Sequence, residues 1–516
     1  MTRKGAIAVY LEPWHLDIDD FIDLKKNSGE ERRRAHDLFP ALWITDLFME
    51  RVLEDANWTL FDPYDVPELS ETFGEEFKLN YLKAESNNDI RKKTIKAKDL
   101  WKKVLTSYFE SGSPFLCFKD TANRANPNSH VGHIRSSNLC TEIFQNTEPN
   151  YYLIKLWIND GESFVLCHEN DTVELLDGTT KLGKKVTSLD TIVSITDTKN
   201  EVTHNLGEES KVYCVEKEKV DGKTAVCNLA SVNLSKINSQ EDLERVVPIA
   251  VRMLDNVIDL NFYPLKKVKD TNLQSRSIGL GVMGEAQMLA EKQIMFGSQE
   301  HLNLIDELME QFSYYTIKAS SDLAVEKGSY PDFEGSNWSK GIMPFHHVKD
   351  GVYALTTRDC SNEPEWASLV AQIKRTGMRN GYLMAIAPTS SISILVGTTQ
   401  AIEPVYKKKW YEENLSGLIP VVVPNLNPNT YQYYPSAYEV DQLDIIKAAA
   451  IRQKWIDQGQ STNIFINPET TTGKILNDIY MLAWKLGCKS TYYLRSQSPE
   501  AKVDIADRSL ECSGCQ

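Results

Sequence analysis

The sequence predicts an α/β fold interrupted by a β-rich insertion, and three observations carry that prediction. Short apolar runs of strand density alternate with amphipathic, charge-flanked stretches over the first 125 residues and again from about residue 226. Between residues 144 and 225 that alternation stops, and the text becomes rich in Thr, Val, Asp and Gly, with short alternating runs. The chain has 516 residues, 41% hydrophobic and 25% charged, which is enough to build one large core or several smaller domains.

Taken in order, AIAVYLEPW (6–14) reads as a buried strand stopped by Pro13. HLDIDDFIDLKKN (15–27) and ALWITDLFMERVLEDA (41–56) carry apolar positions at three and four spacing and read as helices. AKDLWKKVLTSYFESG (97–112) reads as a helix with Gly112 at its C-cap. Within the insertion, FVLCHENDTVELLDGTTKLGKKVTSLDTIVSITDTKNEVTHN (164–205) predicts several short antiparallel strands, with Asp177-Gly178 as a turn. After it the same texture returns, with CNLASVNL (227–234), a long helix around 240–260, SIGLGVMGEAQ (277–287) and HLNLIDELMEQFSYYTIKASSDLAVEKG (301–328). YLMAIAP (382–388) and CKSTYYL (488–494) read as buried strands. The polar segment from about 497 is expected to be a disordered tail.

Charge and cysteine usage exclude whole function classes. A formal charge of -15 argues against a general nucleic-acid or membrane surface, because a polyanion would be repelled over most of the exterior. No apolar run approaches 18 residues, and the start MTRKGAIAVYLEPWH lacks a signal-peptide core, so a cytoplasmic location is expected. Nine cysteines scattered through a long chain do not form a secreted disulfide framework. Most are expected to be reduced.

In SSNLCTEI (136–143), an extended backbone would point Asn138, Cys140 and Glu142 to one side, with neighbours about 7 Å apart at roughly 3.3 Å per residue. An amide, a thiol and a carboxylate at that spacing match a small polyol. Taken alone, the same residues read more readily as a buried small hydrophobe beside a solvated charge. The chain ends in Cys512-Ser-Gly-Cys515-Gln516, a dithiol on a tail that is able to travel between a buried site and an external reductant. No second Cys/His pair supports a zinc reading. Cys227 sits in the strand-like run AVCNLASVNL, and Tyr492-Tyr493 are core aromatics or redox relays. In APTSS, Pro388 ends a strand, and Thr389, Ser390 and Ser391 open a helix that is either plainly capped or faces an anion. Gly279-x-Gly281-x-x-Gly284 matches the dinucleotide fingerprint formally. The polar residues before it do not make the required strand, so close backbone packing is expected instead.

These motifs together resemble the large, catalytic subunit of class I ribonucleotide reductase. The resemblance runs through KGAIAVYLEPWH (4–15), RAHDLFPALWITDLFMERV (34–52), SNLCTEI (137–143), VCNLASVNL (226–234), SIGLGVMG (277–284), APTSS (387–391), IEP (402–404), IDQGQSTNIFI (456–466), TYYLRS (491–496) and CSGC (512–515). It implies part of a ten-stranded α/β barrel with a central finger loop, divided as 1–143 (end of the first half-barrel and finger loop), 144–222 (insertion), 223–496 (second half-barrel) and 497–516 (redox tail). It also implies the activity, reduction of ribonucleoside diphosphates to deoxyribonucleotides by radical chemistry.

On the matching positions, Cys140 would carry the thiyl radical, Glu142 would be the general base, Asn138 would bind the sugar hydroxyls, and Cys227 would be one of two reducing thiols. Tyr492 and Tyr493 would relay the radical, Cys512 and Cys515 would re-reduce the site, Ser137 and Pro388 to Ser391 would hold the substrate, and Arg3 would belong to the effector loop. No cofactor is expected in this chain itself. The radical would come from a metal-containing small subunit and the electrons from thioredoxin or glutaredoxin.

The resemblance also implies an upstream large-subunit polypeptide that supplies the mate of Cys227; the chain reads either as the downstream product of a split gene or as a truncation, and the split-gene reading is favoured. The resemblance leads one to expect only about ten residues between the motifs flanking 144–222. The insertion text resembles self-splicing domains, but Val226 stands where splicing needs asparagine, so a retained β-insertion is expected. Two competing readings are a non-catalytic fragment that binds nucleotide or subunit, and a nicotinamide or thiol oxidoreductase built on the glycine fingerprint.

Overall fold

The structure, a computed structural model, describes residues 5–158, 161–197, 202–356, 363–414 and 417–497. Two compact units divide the chain, one of 1–146, 226–262 and 272–516, the other of 147–225 and 263–271.

In the larger unit, strands and helices alternate. They are β1 (Ile7–Leu11), β2 (Leu38–Ile44), α1 (Ala97–Ser111), β3 (Phe115–Phe118), β4 (Leu229–Asn233), α2 (Gln240–Leu260), β5 (Gly279–Met283), α3 (Gln299–Lys327), α4 (Ser390–Val396), α5 (Gln442–Trp455), β6 (Ile464–Ile466), α6 (Gly473–Lys485), β7 (Ser490–Thr491) and β8 (Leu494–Ser496). Parallel pairing joins β1 to β2 and β2 to β3, and β7 closes antiparallel on β3. On the other side, β4 pairs parallel with β5, and β6 with β8. Single hydrogen bonds complete the wall. Leu280 donates to Leu383 O (2.8 Å), Ile386 to Gly459 O (3.0 Å), Tyr492 to Thr462 O (2.8 Å) and Ile464 to Tyr493 O (2.9 Å). The succession β1-β2-β3-β7 thus runs through 462–464 and 458–461 to 382–386, β5 and β4. Among the described residues this wall does not close, and β1 and β4 are its two ends.

The helices cover the wall because their apolar stripes match it. α1 buries Leu100, Trp101, Val104, Leu105 and Tyr108, and its C-cap Gly112 takes the left-handed conformation at φ 70° that stops the helix. One continuous core runs from Trp14 to Leu494.

Several sequence expectations need correction. β1 is not buried on both faces, because Ile7 is 61% exposed and Val9 is 37% exposed while Ala8 packs inward. An end strand of an open wall has only one face to bury. In ALWITDLFMERVLEDA the first four residues belong to β2, and the helix begins only at Asp46. HLDIDDFIDLKKN yields one short helix, Ile18–Ile22, and a 3₁₀ turn. YLMAIAP is extended and buried but forms single bridges to Leu280 and Gln460 rather than a ladder. CKSTYYL breaks into β7 and β8 at the two tyrosines. Two fingerprint glycines, Gly279 and Gly281, lie inside buried β5, and Gly284 caps the next helix at φ 82°; a Cβ on Gly281 would stand 2.3 Å from Ala385 O, the close backbone packing expected from the sequence.

The second unit is a six-stranded antiparallel sheet. Its strands, in spatial order, are Ser163–His168, Tyr151–Ile158, Val202–Val220, Thr191–Asp197, Thr172–Leu175 and Thr180–Leu182. Asp177-Gly178 turns the last hairpin, with Gly178 at φ 79°. Ile154, Leu156, Val173, Ile192 and Val212 form its own small core.

Candidate functional site

The segment from 137 to 143 is a turn, not an extended strand. Asn138 Oδ1 accepts the N–H groups of both Glu142 and Ile143 (3.1 Å each), and Thr141 N–H donates to Asn138 O (3.3 Å). Thr141 is driven to φ 62°, a left-handed conformation that costs a β-branched residue about 1–2 kcal/mol. The expected alternation of Asn138, Cys140 and Glu142 along one strand face is therefore wrong. The amide folds the chain back on itself and gathers the residues by curvature.

Neighbouring elements clamp the carbonyls of Cys140, Thr141 and Glu142, which holds the turn in this conformation. Ser461 Oγ donates to Cys140 O (2.5 Å), Ser490 Oγ to Thr141 O (2.7 Å) and Gly459 N–H to Glu142 O (2.8 Å). Ser137 Oγ closes the loop on Ile143 O (2.7 Å), and Tyr10 Oη from β1 donates to Asn138 O (2.9 Å).

One tyrosine meets the thiol and a second packs against the first. Tyr492 Oη donates to Cys140 Sγ at 3.4 Å. The rings of Tyr492 and Tyr493 are 4.3 Å apart, and Phe115 lies 4.9 Å from each. The break between β7 and β8 sets this placement: Tyr492 is buried, Tyr493 is half-buried, and the Arg495 guanidinium sits 5.6 Å above the Tyr493 ring. Tyr108 of α1 donates to the backbone carbonyl of Tyr492 and fixes it from behind.

Burial dominates the electrostatics. Glu142 is buried, and desolvation raises its carboxyl above the usual range, against the opposing hydrogen bonds of Asn138 and Ser461, the latter at 3.1 Å. Cys227 lies just before β4, keeps access to solvent, and has its thiol pushed up to about 12, first by surrounding protein and then by the Glu142 charge, while the Asn138 side chain acts in the opposite sense. One amide thus communicates with both the carboxylate and the second thiol. Among the described residues no group of three His, Cys, Asp or Glu side chains is arranged to hold a metal.

The 387–391 segment leaves the wall directly after Ile386, whose carbonyl accepts from Ser461 N–H (2.9 Å), so it starts beside the clamp on Cys140. Thr389 caps α4 at φ 56° and uses its hydroxyl to accept from Ala401 N–H (2.8 Å), while Ser390 and Ser391 are exposed. Arg3, Cys512 and Cys515 lie outside the described residues. Sequence reasoning did not single out Tyr10, Phe115, Ser461 or Ser490. Only the run DQGQSTN, polar yet flanked by apolar residues, hinted that buried hydroxyls would be needed.

The chain is similar to known proteins along nearly its whole length. A family described as "Ribonucleotide reductase, barrel domain" matches residues 1–494. The chain is 61% identical over 517 residues to the ribonucleoside-diphosphate reductase subunit alpha of Helicobacter pylori strain J99, covering all of this chain and 64% of that protein. It is 39% identical over 509 residues to the subunit alpha of Treponema pallidum (97% of this chain, 53% of that protein) and 37% over 558 residues to that of Chlamydia trachomatis (99% and 46%). The chain thus spans about half to two-thirds of the length of these relatives. A match across nearly every residue, at up to 61% identity, leaves one conclusion: the chain belongs to the ribonucleotide reductase barrel-domain family.

Proposed function

We propose that this chain carries the catalytic centre of a class I ribonucleoside-diphosphate reductase, converting ribonucleoside diphosphates to 2′-deoxyribonucleoside diphosphates. The observation that carries the reading is Tyr492 Oη at 3.4 Å from Cys140 Sγ, with Glu142 and Asn138 on the same turn. In this reading a hydrogen atom passes from Cys140 to the oxidised Tyr492 oxygen, and the resulting thiyl takes the substrate 3′-hydrogen. Glu142, its proton affinity raised in a dry site, accepts the 3′-hydroxyl proton. The 2′-hydroxyl leaves as water with a thiol proton from Cys227. Cys227 and a second thiol supply two electrons and close a disulfide, Cys140 returns its hydrogen to C3′, and Cys512 with Cys515 reopens the disulfide.

Asn138 and Ser137 orient the ribose, Pro388, Thr389, Ser390 and Ser391 hold the diphosphate, and Arg3 serves an effector loop. A metal-bearing small subunit supplies the radical through Tyr493, thioredoxin or glutaredoxin supplies the electrons, and an upstream large-subunit polypeptide supplies the second thiol. The exposed Ile7 and Val9 on the end strand support that last partner.

The test is reduction of CDP to dCDP by this chain with a radical-generating small subunit and dithiothreitol, with and without the upstream polypeptide. Turnover that requires the polypeptide and is abolished by Cys140→Ser is expected. A folded assembly without turnover would leave a nucleotide- or subunit-binding fragment as the better reading.

A further inference from the structure

A small cavity in the larger unit, away from Cys140, has a wall whose charged groups are all cationic. It lies between residues 121–125, 344–352, α5 and the end of α6, and it holds about 50 Å³ of free space. That is several times the roughly 10–15 Å³ one water requires, and far too little for a nucleoside. Arg124, His347, Lys349, Lys454 and Lys489 line it, and no carboxylate does.

Two of these cations are already paired behind the wall, Arg124 with Asp46 (2.6 Å) and Lys454 with Asp306 (3.3 Å). The other two lysines lack such a partner. Lys349 Nζ donates to Trp484 O (3.1 Å), and Lys489 Nζ, on a residue only 2% exposed, donates to Asp457 O. The Asp457 carboxylate is itself engaged by the N–H groups of Leu383 (2.9 Å) and Met384 (2.8 Å). Among the described residues neither lysine has a carboxylate within ion-pair distance. A buried ammonium facing neutral carbonyls is costly unless an anion completes its shell. The crowding is visible in the site's own groups: burial, with Asp457 opposing, brings Lys489 down to about 8, and burial followed by the charges of Lys489, His346 and Arg124 holds His347 at about 4.

We propose that this cavity binds a phosphate-type oxyanion, with Lys349 and Lys489 as its principal donors and Arg124 at its mouth. The size admits one tetrahedral anion, either free phosphate or the terminal phosphate of a nucleotide whose remainder stays outside. The site is independent of the reaction proposed above.

The test is calorimetric titration of the full chain with inorganic phosphate, ADP and ATP at matched ionic strength in chloride, on the parent, Lys349→Gln, Arg124→Gln and Ser390→Ala. Saturable phosphate binding is expected, weakened about tenfold or more in Lys349→Gln through loss of a charge-assisted hydrogen bond. It is weakened less in Arg124→Gln and retained in Ser390→Ala, which alters only the proposed substrate loop. ADP binding that exceeds phosphate binding and is lost in Lys349→Gln would assign the nucleotide source, and the reverse order the free anion. Absence of saturable binding by all three, or equal affinity in parent, Lys349→Gln and Arg124→Gln, would overturn the proposal. Lys349 is half-buried and Arg124 exposed, so at least one variant should retain the parental melting profile.

Discussion

Glu142 bears a desolvation cost. Folding places its carboxyl where desolvation favours the protonated form, so the folded state holds this proton more tightly than the unfolded chain does. The sign follows directly: stability from this group is greatest at low pH and is lost as pH rises from the ordinary carboxylate value near 4.5 through the raised folded value. Glu142→Gln keeps the shape and both hydrogen bonds without the charge. It should melt higher than the parent at pH 8, by about 1–3 kcal/mol of unfolding free energy, and equal the parent near pH 4. In the assembled enzyme it should also abolish turnover. A variant less stable than the parent at pH 8 would mean that the ionised carboxylate is favoured by its surroundings. The identity of this residue was legible in the sequence, since N-L-C-T-E names an amide, a thiol and an acid at fixed intervals. Its geometry was not. Nothing local announces that Asn138 will accept two backbone N–H groups or that Thr141 will turn left-handed, because the clamps that stabilise the turn come from Ser461 and Ser490, more than 300 positions away.

At the scale of elements, the long periodic helix α2 was readable, because its 3.6-residue stripe of Leu243, Val247, Val251, Leu254 and Ile258 is visible without tertiary context. The wall strands were less so. The stretch 382–386 is held by a few isolated hydrogen bonds on either side, and its apolar composition alone does not distinguish a ladder from a bridge. Gly281 decides how closely it approaches β5. An added Cβ would meet Ala385 O at 2.3 Å and Ile386 Cα at 3.0 Å, both backbone atoms unable to step aside cheaply. Gly281→Ala should therefore push 382–386 outward, strain the bonds at Leu280 and Ala385, and lower stability by about 1–3 kcal/mol in urea unfolding. Gly473, at the start of α6, has nothing within 4 Å of its Cβ position. Gly473→Ala should be neutral or stabilising by about 0.4–1 kcal/mol. Equal effects at the two sites would show that the loss reflects glycine content and not the contact with Ala385.

At the scale of the larger unit, the wall has two ends without a strand partner among the described residues, and the β1 end carries apolar side chains into solvent. Ile7 and Val9 project from a strand that, among the described residues, pairs only with β2, whereas Tyr10 on its inner side supports the Asn138 turn. An edge with free backbone donors and acceptors beside exposed branched side chains is a template for another strand. The Helicobacter relative is longer, this chain matching 64% of it, so the same family holds more polypeptide than is present here. If that polypeptide adds to β1, its binding stabilises the folded chain by mass action, about 2.7 kcal/mol when it is present at 100 times its dissociation constant. Two consequences separate this from non-specific stickiness. The melting temperature should rise with the concentration of the upstream polypeptide and saturate, and Ile7→Lys with Val9→Lys should remove that rise while reducing concentration-dependent self-association of the chain alone. The lysines point away from Tyr10, so the Asn138 turn should survive and the far-ultraviolet spectrum should not change. A rise that persists undiminished in the double variant would place the contact elsewhere, with the β4 end of the wall as the next surface to test.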